Sequence, residues 1–281
     1  MTNLYGDIQD KICVITGGSG VIGKGLALAM AKAGMRVVIV DYKEERCQKN
    51  AEELSKEAGK KVTGVLGNVL DRASILEARK KINSDLGKID FLINCAGGNA
   101  PTATTGLEFF KKENLSEIEK SFFGLQIEGF QKVFDLNFTG TLIPTLVFAE
   151  DMLEKGGVIL NVSSMNSFRP LTKIPAYSAA KAAVNNFTQW LAVHFAQMNI
   201  RVNAIAPGFF VTNQNRFLLI DEKTNNLTPR GNKIINNTPM GKFGDPDDLV
   251  GTTIYLLSDM SRFVTGVVVP VDGGFSAYSG V

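Results

Sequence analysis

Tyr177 and Lys181 stand four residues apart in AYSAAKAAV, and Ser164 precedes Tyr177 by thirteen. The spacing of four puts phenol and ammonium on one helix face, one turn apart. A phenol, an ammonium and a hydroxyl so arranged can share one proton-transfer site. Free tyrosine titrates at about 10, and a cation beside it stabilises the phenolate and lowers that value. A lone Tyr-x-x-x-Lys pair is usually a solvated helix face. This pair follows the apolar run GVILNVSS, which ends at Ser164 and reads as a buried strand.

A second feature lies near the N-terminus, where TGGSGVIG opens at Thr16. Gly18-Ser19-Gly20-Val21-Ile22-Gly23 fits G-x-G-x-x-G directly after an apolar run and at a helix start. Glycines there allow a tight turn and a close backbone approach to a pyrophosphate, and the helix N-terminus favours its charge. Gly17, Ser19, Gly20, Val21, Ile22 and Gly23 are the candidate contacts. Asp41 ends the next apolar run, 18 residues after Gly23. A carboxylate there accepts hydrogen bonds from ribose hydroxyls and repels a 2′-phosphate, which favours NAD over NADP. Its plain alternative is a helix-capping Asp, and Lys43 is a nearby cation that could accept a phosphate. Asn94, Cys95, Ala96 and Gly97 end a further run with small residues that would let a cofactor cross a sheet edge; an ordinary strand-to-loop turn would look the same.

These residues need a scaffold, and the pattern around them supplies one. Short apolar runs at 11–16, 36–41, 62–66, 90–95, 157–163, 200–206 and 267–270 read as strands. Helical patterns at 20–33, 44–58 and 72–86 separate the first four. Such alternation predicts an α/β fold, a doubly wound seven-stranded parallel sheet with helices on both faces. The chain shows no internal repeat and no dividing linker, so residues 1–281 read as a single domain. Two long segments, about 97–129 and 209–237, break the rhythm; in a compact α/β domain these are candidate substrate loops or lids.

Composition narrows the classes. With 44% hydrophobic residues in 281, a sizeable core is affordable. A net charge of +2 gives no pull toward nucleic acid or membrane. No apolar run approaches the roughly 20 residues of a membrane span, and the N-terminus lacks a signal-peptide pattern. Cys13, Cys47 and Cys95 show neither metal nor disulfide spacing, which suits a reducing cytoplasm. The one histidine, His194, falls mid-helix in WLAVHFAQM, so multi-histidine metal sites are excluded and a helix-surface or core role is expected of it. No metal is expected.

TGGSGVIG, Asp41, NCAG at 94–97, Asn137 in LNFTG, Ser164, Tyr177-x-x-x-Lys181 and Pro207-Gly208 follow one another in order. Together they resemble the short-chain dehydrogenase/reductase family over nearly the whole chain. The resemblance implies a Rossmann fold and hydride exchange between a nicotinamide and a CH–OH group. It implies Tyr177 as proton donor or acceptor and Lys181 as the group that lowers its pKa and binds the nicotinamide ribose. Ser164 would orient the substrate oxygen, in preference to Ser163, and Asn137 would support a water-linked proton path. It adds Asn68, Val69, Asn94, Ala96, Gly97, Pro207, Gly208 and Thr212 to the cofactor contacts, and a homo-tetramer or homo-dimer as the assembly. Three positions depart from the pattern: Val21 replaces a glycine of the turn, Asn68 an Asp, and Cys95 an Asn.

TGGSGVIG, NCAGGNAP, SSMNSFRPLTKIPAYSAAK and PGFFVTNQNRFLL are similar to a smaller branch of that family, the D-mannonate oxidoreductases (fructuronate reductases). That implies a sugar-acid substrate, D-mannonate or D-fructuronate. Arg169, Lys173 and Arg216 are the candidate partners of its carboxylate, Arg216 first, with Asn166, Gln214 and Asn215 for its hydroxyls. Arg suits a planar carboxylate because it donates two parallel hydrogen bonds. The rivals are a polyol or gluconate dehydrogenase, a 3-oxoacyl thioester reductase and an idle binding protein. The last has no need of Ser164, Tyr177, Lys181 and Asn137 together.

Overall fold

The computed structural model describes residues 6–212 and 215–280. Seven strands form one sheet: β1 Ile12–Thr16, β2 Arg36–Asp41, β3 Val62–Leu66, β4 Phe91–Asn94, β5 Gly157–Val162, β6 Ile200–Pro207 and β7 Val268–Val271. All six pairings are parallel and the order is β3-β2-β1-β4-β5-β6-β7. Parallel strands need crossovers. Those here are α1 Val21–Lys32, α2 Glu44–Ala58, α3 Arg72–Asp85, α4 Ile127–Phe134 with α5 Gly140–Phe148, α6 Pro175–Phe195, and α7 Arg216–Leu219, α8 Pro229–Asn236 and α9 Val250–Leu257. Each strand edge, and each edge of α1 to α3, falls within one residue of the expected position.

Alternation along the strands builds two cores. Cys13 and Ile15 of β1 pack with Leu26 and Met30 of α1, Leu54 of α2 and Leu256 of α9. Ile12 and Val14 face the other way, onto Ile75 and Ile82 of α3, Phe148 of α5 and Leu191 of α6. Every β1 residue is buried, as a strand covered on both faces requires. No helix among the described residues is long and apolar enough to cross a membrane.

The strand order reverses between β1 and β4. In an open α/β sheet, ligands bind outside the carboxyl ends of the strands at such a point. Register makes the ends level there: Thr16 pairs with Val40 of β2 and with Asn94 of β4. The TGGSGVIG turn and the NCAG segment therefore meet, and a Cβ on Gly17 would come within 2.7 Å of the Ala96 Cα. Gly17 also has φ +63°, so both space and backbone demand glycine.

The two long segments carry structure of their own. Residues 97–129 contain short 3₁₀ turns at Pro101–Ala103, Lys112–Lys120 and Phe122–Gly124 and the start of α4. Residues 209–237 hold α7 and α8, joined by an Ile220–Leu227 bridge. The segments are stitched across the mouth of the sheet. Glu108 accepts from Lys233 of α8 at 2.7 Å and from Thr172, before α6, at 3.4 Å.

Candidate active site

The glycine turn shapes a cradle. A Cβ on Gly18 would strike the Ile39 side chain at 2.5 Å, and one on Gly23 the Gly17 carbonyl oxygen at 2.4 Å. Gly20 is the N-cap of α1 and bears no such constraint: a Cβ there would meet only the Gly17 oxygen, at 3.3 Å. The steric demand thus falls on Gly17, Gly18 and Gly23, and Val21 is accommodated as the first residue of α1. No side chain caps α1, so its first N–H groups keep their hydrogen-bonding capacity. The buried Ser19 hydroxyl has no hydrogen-bond partner among the described residues. Free N–H groups, an unsatisfied hydroxyl and a backbone without Cβ atoms are what a pyrophosphate would use, so these residues fit a dinucleotide.

Asp41 ends β2 with its carboxylate buried. Its partner is Arg46, on the first turn of α2, whose terminal nitrogen lies 2.7 and 2.8 Å from the two carboxylate oxygens. The Arg46 and Lys43 cations both lie over the Tyr42 ring, at 5.7 and 5.6 Å from its centre. Arg46 did not emerge from the sequence reading, although a strand-end Asp followed by a helix-start Arg is a recognisable pairing. Asn68 is exposed and its Oδ1 accepts from the Leu70 N–H, which leaves the amide N–H groups available. Val69 is buried against Gly140, and Ile22 is half-buried on the first turn of α1. The Asn94 side chain is committed to the interior, donating to Thr145 and Asn161. Only its backbone lies at the sheet edge. Gly208 is required by the sheet itself, since a Cβ there would come 2.6 Å from the Asp272 Cα.

Beyond the carboxyl ends of β4 and β5, four side chains converge. Pro175 opens α6, where a fixed φ and a missing N–H cost nothing. Tyr177 is on the first turn of that helix and Lys181 on the next. Lys181 is 4% exposed and donates to the Val162 carbonyl at the end of β5, at 2.8 Å. Its Nζ lies 5.8 Å from the centre of the Tyr177 ring. The Ser164 hydroxyl lies beside the Tyr177 phenol, where it favours the phenolate, and accepts from the Asn166 N–H at 3.3 Å. Asn137 is fully buried, and its amide donates to the Gly98 and Val133 carbonyls, both at 2.7 Å. A Cβ on Gly97 would come 2.7 Å from the Asn137 Oδ1 and 3.3 Å from the Lys181 Nζ. Asn137 sits in a π-helical segment, Asp135–Thr139, between α4 and α5. Its amide takes the carbonyl four residues back, and a side chain inserted into the ladder is a known cause of such a bulge.

The electrostatics differ from the expectation in one respect. Burial pushes the Tyr177 phenol above its ordinary value, and only the Ser164 hydroxyl opposes that. The expected lowering by Lys181 is not what the geometry gives. The ammonium is turned onto the Val162 carbonyl, and burial brings its own pKa down to about 8. The half-buried Cys95 thiol is pushed up to about 11 by desolvation, with Lys181 pulling the other way.

The proposed substrate contacts are spread more widely. Asn166 is buried beside Ser164 with its Oδ1 unsatisfied among the described residues. Arg169 is exposed and lines a cavity of about 470 Å³ with Phe168, Pro270, Asp272, Ser276 and Ala277. Lys173 stands in the field of Glu108 and its carbonyl accepts from the Thr105 N–H. Asn215 is spent on its own turn, accepting from the Thr212 N–H at 2.7 Å and donating to the Phe210 carbonyl. Arg216 is exposed and donates to Asn225 within the same segment, at 3.1 Å. Gln214 lies outside the described residues. His194 is exposed on α6 and stacks on Trp190 at 4.6 Å, far from a triad.

The chain is similar to known proteins along nearly its whole length. Residues 18–276 match the family described as enoyl-(acyl carrier protein) reductase. An uncharacterised oxidoreductase of Haemophilus influenzae is 50% identical over 277 residues, covering 98% of this chain and 96% of that one. A crystal structure of a proposed D-mannonate oxidoreductase from Haemophilus, with bound NAD, superposes with a TM-score of 0.92 at 50% identity and covers 98% of each chain. The 2-dehydro-3-deoxy-D-gluconate 5-dehydrogenase of Formosa agariphila is 34% identical over 276 residues, 98% of this chain and 96% of that one. The chain belongs to the short-chain dehydrogenase/reductase family. It is an oxidoreductase of that type, acting between alcohol and ketone.

The buried ammonium makes a pH-dependent contribution to stability. The folded pKa of Lys181, about 8, lies below its ordinary 10.5. Between those values the unfolded chain binds more protons than the folded one, so the Lys181 contribution rises with pH across that window. Thermal melts of wild type and Lys181→Met from near-neutral to about pH 10 should show wild type gaining stability relative to the variant. A pH-independent difference would mean that Lys181 is not depressed.

Proposed function

We propose that this chain is an NAD(H)-dependent reductase and dehydrogenase of a sugar acid, D-fructuronate and D-mannonate being the pair. The observation that carries the reaction is the convergence of Tyr177, Ser164, Lys181 and Asn137 beside the cradle at the β1/β4 switch. Gly17, Ser19, Gly23 and the start of α1 would hold the pyrophosphate, Asp41 the adenosine ribose, and Lys181 the nicotinamide ribose. When bound, the nicotinamide supplies or accepts the hydride.

This chain's own part is proton transfer and orientation. Tyr177 stays protonated through neutral pH, because burial raises its pKa. It is therefore ready to give its proton to a carbonyl oxygen as that carbonyl carbon gains a hydride, and Ser164 holds the same oxygen by a second hydrogen bond. In the reverse direction the phenolate takes the alcohol proton. Lys181 keeps positive charge near the phenolate, and Asn137 fixes the Gly98 backbone and the floor under Lys181.

The sugar-acid reading is supported by the names of two similar proteins, both of which concern sugar acids. It is also supported by the polar character of the segment after β6, where Arg216, Asp221, Asn225 and Asn226 cluster. Between the two arginines, Arg169 is the better carboxylate partner, since Arg216 already serves Asn225.

NADH consumption should be fast with D-fructuronate and slow with D-fructose and a β-ketoacyl thioester. Arg169→Ala should raise KM for the uronate at least tenfold, in line with the roughly 1.5–3 kcal/mol of a charge-assisted hydrogen bond, with NADH affinity unchanged. Equal use of D-fructose, or an unchanged KM, would point to a neutral polyol. NAD should be preferred over NADP. Asp41→Ala should narrow the gap by relieving repulsion and also by freeing Arg46 for a 2′-phosphate; kcat/KM for the two cofactors measures it, and a wild-type preference for NADPH would contradict the assignment.

A further inference from the structure

Ser164 stands on a turn outside the sheet, yet it must meet a phenol fixed on α6. One amide joins the two. Asn185 follows Lys181 by four residues and so lies one turn further along the same helix face. The Ser163 hydroxyl donates to the Asn185 Oδ1. The Asn185 Nδ2 donates to the Ser167 hydroxyl at 2.7 Å. The Ser167 hydroxyl in turn donates to the Ser164 carbonyl. Ser164 is the N-cap of the 3₁₀ turn Met165–Ser167, so this chain of bonds grips the turn from both sides.

The direction of the chain is fixed by donor count. Ser167 has one hydroxyl proton and gives it to Ser164, so it must accept from Asn185. Asn185 therefore points Nδ2 at Ser167 and Oδ1 at Ser163. The amide donates to one serine while accepting from the other. Ser163 has a second acceptor in the Lys181 carbonyl at 3.3 Å, but among the described residues no other side chain donates to Ser167.

We infer that Asn185 is a positioning residue: its side-chain amide clamps the Ser164 turn onto the helix that carries Tyr177 and Lys181, and so sets the contact between the Ser164 hydroxyl and the Tyr177 phenol. The inference rests on the proposed reading of Ser164 and Tyr177 as a proton-transfer pair, and it names what holds that pair in register. Without Asn185 the turn keeps its own 3₁₀ hydrogen bonds but loses the side-chain bond that links Ser167 to α6. A displacement of about 1 Å at such a pair costs on the order of 100-fold in rate.

The test reads the phenol directly, with neither cofactor nor substrate present. Protein labelled with [ζ-¹³C]tyrosine has five signals, and the Tyr177 signal is the one lost in Tyr177→Phe. At near-neutral pH the Cζ shift reports hydrogen bonding to the phenol oxygen. Asn185→Ala and Ser167→Ala should each move the Tyr177 signal in the direction that Ser164→Ala moves it, leaving the other signals in place. Asn185→Ala added to Ser164→Ala should move it no further, because the two act through one contact. With D-fructuronate as substrate, Asn185→Ala should lower kcat about 10- to 100-fold and leave KM for NADH unchanged. An unmoved Tyr177 signal in folded Asn185→Ala and Ser167→Ala protein would overturn the inference. So would an equal movement in the absence of the Ser164 hydroxyl, or a Ser164→Ala variant that itself moves nothing. If Asn185→Ala fails to fold, Ser167→Ala cuts the same link from the turn. The resonance is readable whatever the substrate, so failure of the sugar-acid reading would appear only in the kinetic arm.

Discussion

The bond from the Lys181 ammonium to the Val162 carbonyl organises the rest of the site. A buried ammonium without a carboxylate is costly, and its pKa falls to about 8 in consequence. Folds retain such a group where it serves a site. Its neighbours are arranged around that cost. Gly97 lacks the Cβ that would crowd the Nζ, Asn137 holds the Gly98 backbone away from it, and β5 ends so that one carbonyl points at it. The same bond docks the first two turns of α6 on the end of β5, which is what brings Tyr177 over Ser164.

The sheet does the complementary work on the cofactor side. Parallel register aligns the carboxyl ends of β1, β2 and β4, so that the glycine turn, Asp41 and the NCAG segment share one edge. The bulk of Ile39 on β2 explains why Gly18 is glycine, and the approach of Ala96 explains Gly17. Cradle and strand packing are therefore one constraint. The Asp41–Arg46 pair adds a second layer: it stores a cation beside the carboxylate proposed to select the ribose.

Much of this was legible in the sequence because it is written in local period and spacing. Apolar runs such as VVIVD and FLIN are fully buried, and they fall where their hydrophobicity puts them. Tyr177 and Lys181 share a helix face because the spacing of four leaves no other choice. What was not legible depends on contacts between distant segments. The Asn137 amide in the π-helical segment also bonds to Gly98, 39 residues away, a contact that no local pattern shows. The upward shift of Tyr177 comes from burial, which spacing alone does not report. Arg216 looked available because nothing in the sequence shows it reaching Asn225, and Asn215 because nothing shows it closing its own turn.

The central claim is that the Tyr177 phenol moves the proton that accompanies hydride transfer. The most direct measurement compares wild type with Tyr177→Phe, which keeps the ring and its packing against Ala103, Val133 and Ala176. NADH affinity by fluorescence and the single-turnover rate with D-fructuronate would be read on the same samples. The account predicts NADH affinity within about twofold of wild type and a rate lower by roughly 10²- to 10⁴-fold, the usual worth of a positioned general acid. A Phe variant that turns over at close to the wild-type rate would contradict it.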